Sequence, residues 1–116
     1  MSDKALQKIA DNANFIVNKK IMTLQDITYI VRPLADKYNI ESVYLFGSYA
    51  REDATAESDV DLLVYGGDGF KPAMVFAFAE ELRKAFQKNV DVFEIREVNQ
   101  GSDFYKTIMN ERVLVA

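Results

Sequence analysis

Neither cysteine nor histidine occurs among the 116 residues of this chain. Without cysteine no disulfide and no thiolate zinc site can form, which fits a reducing compartment and sets the expectation of a cytoplasmic protein. With imidazole missing as well, any chemistry must run on other groups. No apolar run approaches the roughly 18 residues of a membrane span, and no charged stretch followed by an apolar one opens the chain, so neither a membrane segment nor a signal peptide is expected. Repeats, linkers and low-complexity tracts are missing too. Positive charge is short: 14 Lys and Arg stand against 18 Asp and Glu, a net −4. An enzyme working along nucleic acid usually presents a basic face, so the balance argues against a long nucleic-acid acceptor.

What remains is the composition of one folded domain, with 49% hydrophobic and 28% charged residues. Leu6, Ile9, Ala10, Ala13, Ile16 and Val17 recur at helical spacing, so residues 3–19 read as an amphipathic helix with Ser2 as cap. It either covers the core or contacts a partner. Thr23 caps a second helix, with Asp26 at its third position and Leu24, Ile27, Ile30, Val31 and Leu34 as its buried stripe. Pro33 inside that pattern predicts a kink or a fresh turn, and Asn39 suits the stop before a strand at 42–46. Gly66-Gly67-Asp68-Gly69 reads as a loop, and Pro72 opens a helix whose core stripe is Val75, Phe78, Ala79, Leu82, Ala85 and Phe86. Phe76 falls on the opposite side and, with Phe70 and Met74, could belong to a partner surface. A strand at 90–95, a helix from Gly101 to about Asn110 and a short strand Arg112 to Val115 complete the chain. The order α, α, β, α, β, α, β, α, β predicts an α/β or α+β sandwich around a small mixed sheet.

The chemistry concentrates in GSYAREDATAESDVDLLV, where Gly47-Ser48 is followed after ten residues by Asp59-Val60-Asp61. Val60 to Tyr65 read as a strand, on which Asp59 and Asp61 share a face while Val60, Leu62 and Val64 take the other. Their Cα atoms then lie roughly 6.5 Å apart, close enough for two carboxylates to share a hard divalent cation. An Asp-x-Asp alone equally fits two acids on a solvated strand edge. Upstream, Gly47 follows the apolar run Val43-Tyr44-Leu45-Phe46, where glycine allows close backbone approach or positive φ. The Ser48 hydroxyl can hydrogen-bond a phosphate oxygen, and residues 49–53 can form a short helix facing the same anion. Asp91 in Asn89-Val90-Asp91-Val92-Phe93-Glu94-Ile95 shares its face with Phe93 and Ile95, and so is a third inward acid or an edge-strand acid in solvent.

This constellation resembles the minimal nucleotidyltransferases of the polymerase-beta superfamily over residues 24–116, including the ending Phe104 to Val115. The resemblance implies the superfamily's nucleotidyltransferase fold, with residues 1–22 as a helical extension and 24–116 as the catalytic core of one domain. It implies transfer of a nucleoside monophosphate from a triphosphate to a hydroxyl, with release of pyrophosphate. Gly47 and Ser48 would hold the triphosphate. Asp59, Asp61 and Asp91 would bind two Mg2+ ions, and Asp91 would take the acceptor's proton. Arg51 would contact phosphate or brace the loop through Glu52, Asp53 or Glu57. Many members carry glycine where this chain has Glu52, so the turn must accommodate a Cβ.

Short members of the family resemble antitoxins that add AMP from ATP to a tyrosine of a small helical HEPN-type toxin. That makes a partner protein the expected acceptor, with no membrane role and nucleic acid disfavoured. Two other readings stand beside it: a partner-masking module without catalysis, for which three clustered acids have no physical use, and a small-molecule transferase acting on antibiotics, which usually brings a further helical domain.

Overall fold

The computed structural model describes residues 21–116; the predicted helix 3–19 lies outside them. Four helices and a four-stranded sheet follow in the order α1 (Leu24–Lys37), β1 (Ser42–Phe46), α2 (Ser48–Arg51), β2 (Val60–Tyr65), α3 (Ala73–Phe86), β3 (Val90–Glu94), α4 (Asp103–Glu111) and β4 (Val113–Leu114), with a single 3₁₀ turn at Ile95–Glu97. The sheet order is β3-β2-β1-β4. β1 pairs antiparallel with β2 and with β4, while β2 and β3 run parallel. A parallel pair needs a crossover, and α3 supplies it.

The longer helices begin where their sequence signals place them. Thr23 Oγ1 accepts from the Asp26 N–H at 3.1 Å and Asp26 Oδ2 accepts from the Thr23 N–H at 2.9 Å, a reciprocal capping box. Ser102 Oγ accepts from the Tyr105 N–H at 3.1 Å and caps α4. Pro33 does not end α1, which continues to Lys37. The turn after it closes through Asn39 at φ 53°, in the left-handed region that asparagine tolerates.

The sheet divides two cores. On one face α1 and α3 pack Ile27, Ile30, Val31, Leu34, Phe78 and Leu82 against Val43, Leu45, Val60, Leu62, Val64 and Val90. On the other, α4 brings Ile108, with Tyr105 and Met109, over Phe46 and Leu63. Lys37 and Tyr38 at the end of α1 both reach Glu81 on α3, Lys37 Nζ at 2.9 Å and Tyr38 through its hydroxyl, which ties the two helices together. Two apolar expectations change. Leu24, placed in the buried stripe, is 46% exposed because it occupies the first helical position, beyond the sheet's cover. Phe70, considered for a partner surface, is buried against Gly66, where any Cβ would collide with its ring. Phe76 is 76% exposed, on the side facing away from the stripe.

Phe78 is fully buried in the α1–α3 layer. Phe78→Ala is expected to lower unfolding stability by about 3–5 kcal/mol, measurable as an earlier urea midpoint at constant slope. A loss below about 1 kcal/mol would mean that this layer is not the principal core.

Candidate active site

β1 ends in a backbone turn that only glycine makes comfortably. Gly47 sits at φ 77°, ψ −157°, a region essentially closed to side chains. Space forbids a side chain as well, since a Cβ on Gly47 would run into Asp61 Oδ2. The first strand therefore presses its terminal peptide directly onto the acid of the second. Ser48 opens α2, a helix of four residues, and the chain leaves it through Glu52 at φ 64°. That left-handed conformation costs a residue with a Cβ roughly 1–2 kcal/mol, which gives physical content to the departure at position 52.

Two of the three aspartates meet through strand register. Phe46 on β1 lies opposite Asp61 on β2, and Asp61 lies opposite Asp91 on β3. Asp61 and Asp91 therefore stand side by side on one face, with Val60, Leu62 and Val64 fully buried on the other. Asp59 directly precedes the strand and is exposed. Asn89, just before β3, joins the set. Its amide donates to Asp59 Oδ2 and to Asp91 Oδ1, each at 3.3 Å.

Charge in this cluster is unbalanced. Burial pushes the Asp61 carboxyl up to about 6, reinforced by the negative charges of Asp91 and Asp59 and by a hydrogen bond with Asp91, with only a small opposing pull from Arg51. Among the described residues no three acids are drawn up into a ready-made metal cage; the Asn89 amide bridges Asp59 and Asp91. The donor chemistry nevertheless suits a hard cation. Carboxylate oxygens gather at one end of the sheet, and a divalent ion would offset the burial and relieve the repulsion that together raise Asp61.

Two more side chains organise the loops. Lys88 Nζ donates to the Ser58 carbonyl at 2.8 Å and to the Tyr49 hydroxyl at 2.9 Å, fastening the segment that leads into Asp59. Glu111 at the end of α4 accepts from the Gly47 N–H at 3.0 Å through Oε2 and from Arg51 Nη1 at 2.9 Å through Oε1. Arg51 also pairs with Asp53 at 3.1 Å, so its guanidinium is committed to carboxylates, Asp53 being one of those that the sequence offers it. Neither Glu111 nor Asn89 stands out in the sequence pattern. Asn89 has a faint signal, an amide beside a strand holding an acid, but nothing local marks Glu111, which is 64 residues from Gly47.

A cavity of about 300 Å3 lies behind α2, lined by Met22, Leu24, Tyr49, Ala50, Ala54 and Val113 among others. No aspartate of the cluster borders it. Asp59 is exposed and Asp61 and Asp91 are half-buried, which suits a site that receives a large acceptor. No helix among the described residues is long and apolar enough to cross a membrane.

Comparison with known proteins agrees with this geometry. A family model described as polymerase beta, nucleotidyltransferase matches residues 29–116. A protein of Methanocaldococcus jannaschii that carries the provisional name of protein adenylyltransferase is 35% identical over 83 residues, covering 66% of this chain and 83% of its own. A solved structure described provisionally as a minimal nucleotidyltransferase aligns with a TM-score of 0.66 at 24% identity, over 79% of this chain and 95% of that one. Another, a tri-AMPylated Shewanella oneidensis HEPN toxin in complex with an MNT antitoxin, aligns with a TM-score of 0.62 at 19% identity, over 81% of this chain and 72% of that one. At these identities the two structures speak to fold.

The raised Asp61 carboxyl makes stability depend on pH with a definite sign. The folded state keeps this proton up to about pH 6, whereas the unfolded chain releases it near 3.8. The contribution is therefore fully present below the lower value and is lost as pH rises through the upper one. In metal-free protein, Asp61→Asn is expected to raise Tm relative to the parent at pH 7.5 and to lose most of that advantage at pH 4.5. An equal difference at both values, in parallel thermal melts, would contradict the assigned crowding.

Proposed function

Because the chain belongs to the polymerase-beta nucleotidyltransferase family, we propose that it transfers AMP from ATP, with Mg2+, to a hydroxyl on a partner protein, as the antitoxin of a HEPN-type toxin pair. The observation that carries this reading is the register Phe46–Asp61–Asp91, which sets two carboxylates side by side next to the Gly47 turn. Support for the acceptor comes from the relative named as a protein adenylyltransferase and from the fold neighbour solved with an AMPylated HEPN toxin. The net charge of −4 fits a protein surface better than a polyanionic one.

In this reading Asp59, Asp61 and Asp91 hold the Mg2+. When bound, the cation neutralises charge on the triphosphate and on the departing pyrophosphate and makes the acceptor hydroxyl more acidic. The protein's own groups do the rest. Gly47 and Ser48 receive the phosphates, Gly47 by allowing the tight turn beside Asp61 that presents Ser48, and Ser48 through its hydroxyl. Asp91 accepts the proton of the acceptor hydroxyl. The acceptor oxygen then forms a bond to the α-phosphorus, the bond from that phosphorus to the bridging oxygen breaks, and pyrophosphate leaves with the electron pair. Asp61, packed against Gly47, sets the phosphate loop directly beside the carboxylates.

The test is incubation of the protein with α-labelled ATP and Mg2+, separately with a co-expressed small helical partner and with RNA. Label is expected on the partner's hydroxyl side chain, and Asp61→Asn is expected to reduce it on the order of 10²–10³-fold or more while circular dichroism stays native. Label entering RNA with steeply salt-dependent binding, and none entering protein, would replace this reading with RNA tailing.

A further inference from the structure

The geometry assigns Glu111 as a positioning residue for nucleotide binding, one that fixes the Gly47 peptide while Arg51 cancels its charge, an inference that rests on the reading above. Its carboxylate links the end of α4 to both ends of α2. Oε2 accepts from the N–H of Gly47, the cap of α2, and Oε1 accepts from the guanidinium of Arg51, its last residue. A helix of four residues has negligible stability of its own. Its orientation, and with it the position of Ser48, must come from tertiary contacts. Gly47 is conformationally the loosest residue in that turn, and it is the one held by a charge-assisted bond from outside.

Charge points the same way. The Glu111 side chain is 16% exposed and lies one hydrogen bond from the peptide that precedes Ser48. Left alone, such a half-buried carboxylate beside a phosphate loop would repel a triphosphate. Arg51 compensates it at 2.9 Å. On this view Arg51 serves nucleotide binding by neutralising Glu111, and its removal does harm chiefly by exposing the carboxylate. Arg51→Ala and Glu111→Gln therefore have coupled effects, the second offsetting the first. The glutamine of the Glu111→Gln variant carries no charge but keeps an oxygen that can accept from the Gly47 N–H.

The experiment measures binding of Mg2+ with a non-hydrolysable ATP analogue by calorimetry in the parent, Arg51→Ala, Glu111→Gln and Arg51→Ala/Glu111→Gln, alongside hydrogen exchange at the Gly47 amide in Glu111→Ala and Glu111→Gln. Thermal melts establish that each variant is folded. Arg51→Ala is expected to weaken binding about tenfold, and adding Glu111→Gln is expected to restore most of that factor, a coupling typical of neighbouring charged groups. A double variant as weak as Arg51→Ala would overturn the assignment and place Arg51 on the phosphates directly. Glu111→Ala is expected to speed Gly47 exchange by about tenfold or more relative to Glu111→Gln, as loss of a tether does. Unchanged exchange would overturn the positioning role. This second readout needs no nucleotide, so it decides the role of Glu111 even if the parent protein binds none, which would refute the transferase reading by itself.

Discussion

Two carboxylates opposite one another on adjacent strands, Asp61 and Asp91, are the arrangement on which the rest of the molecule depends. Like charges directly opposed across a sheet destabilise it, so the sheet must be held in register by something else. The other face of β2 does this: Val60, Leu62 and Val64 are fully buried, each contributing roughly 1.5–3 kcal/mol against exposure. A slip of one residue would exchange the faces and drive the acids into the core. The α3 crossover sets β3 parallel to β2, and the apolar stripe of α3 seals the layer that enforces the register. The acid cluster is thus a local instability maintained by a well-packed layer on the opposite side.

The site is accordingly built of short, restrained pieces. Gly47 has to lack a side chain because Asp61 occupies the space. Lys88 holds the segment before Asp59, Asn89 bridges Asp59 and Asp91, and Glu111 grips the turn from the far end of the chain. None of these contacts adds hydrophobic burial; each restricts where a carboxylate or a peptide can go. α4 has a dual position, with Ile108 sealing the second core and Glu111 at the phosphate loop. The packing of that helix therefore bears directly on the site.

Much of the fold is legible in the sequence because its signals are local. Alternation in Val60 to Tyr65 assigns faces, Thr23 with Asp26 marks a helix start, and the spacing of Val75, Phe78, Ala79 and Leu82 marks a buried stripe. The placing of Asp61 beside Gly47 is legible too, since one short segment holds both. Leu24 and Phe70 depart from expectation because periodicity gives the face of a residue and not what covers it. Pro33 suggests a kink or a fresh turn, and the helix does not restart there but continues to Lys37. Glu111 is invisible for a different reason. Its partners are 60 and 64 residues distant, and the packing of Ile108 and the antiparallel pairing of β4 with β1 bring it there. Asn89 stands in plain sight, yet its role follows from a parallel register that no local pattern reports.

If these crowded carboxylates exist to hold a cation with a nucleotide, a paramagnetic ion in the place of Mg2+ must find them. Electron paramagnetic resonance of Mn2+ added with a non-hydrolysable ATP analogue, comparing the parent protein with Asp61→Asn, reads this directly. Protein-bound Mn2+ is expected in the parent, with a loss of at least about tenfold in affinity, roughly 1.4 kcal/mol, in the variant. Equal Mn2+ binding in the two proteins would contradict a cation-holding role for the cluster.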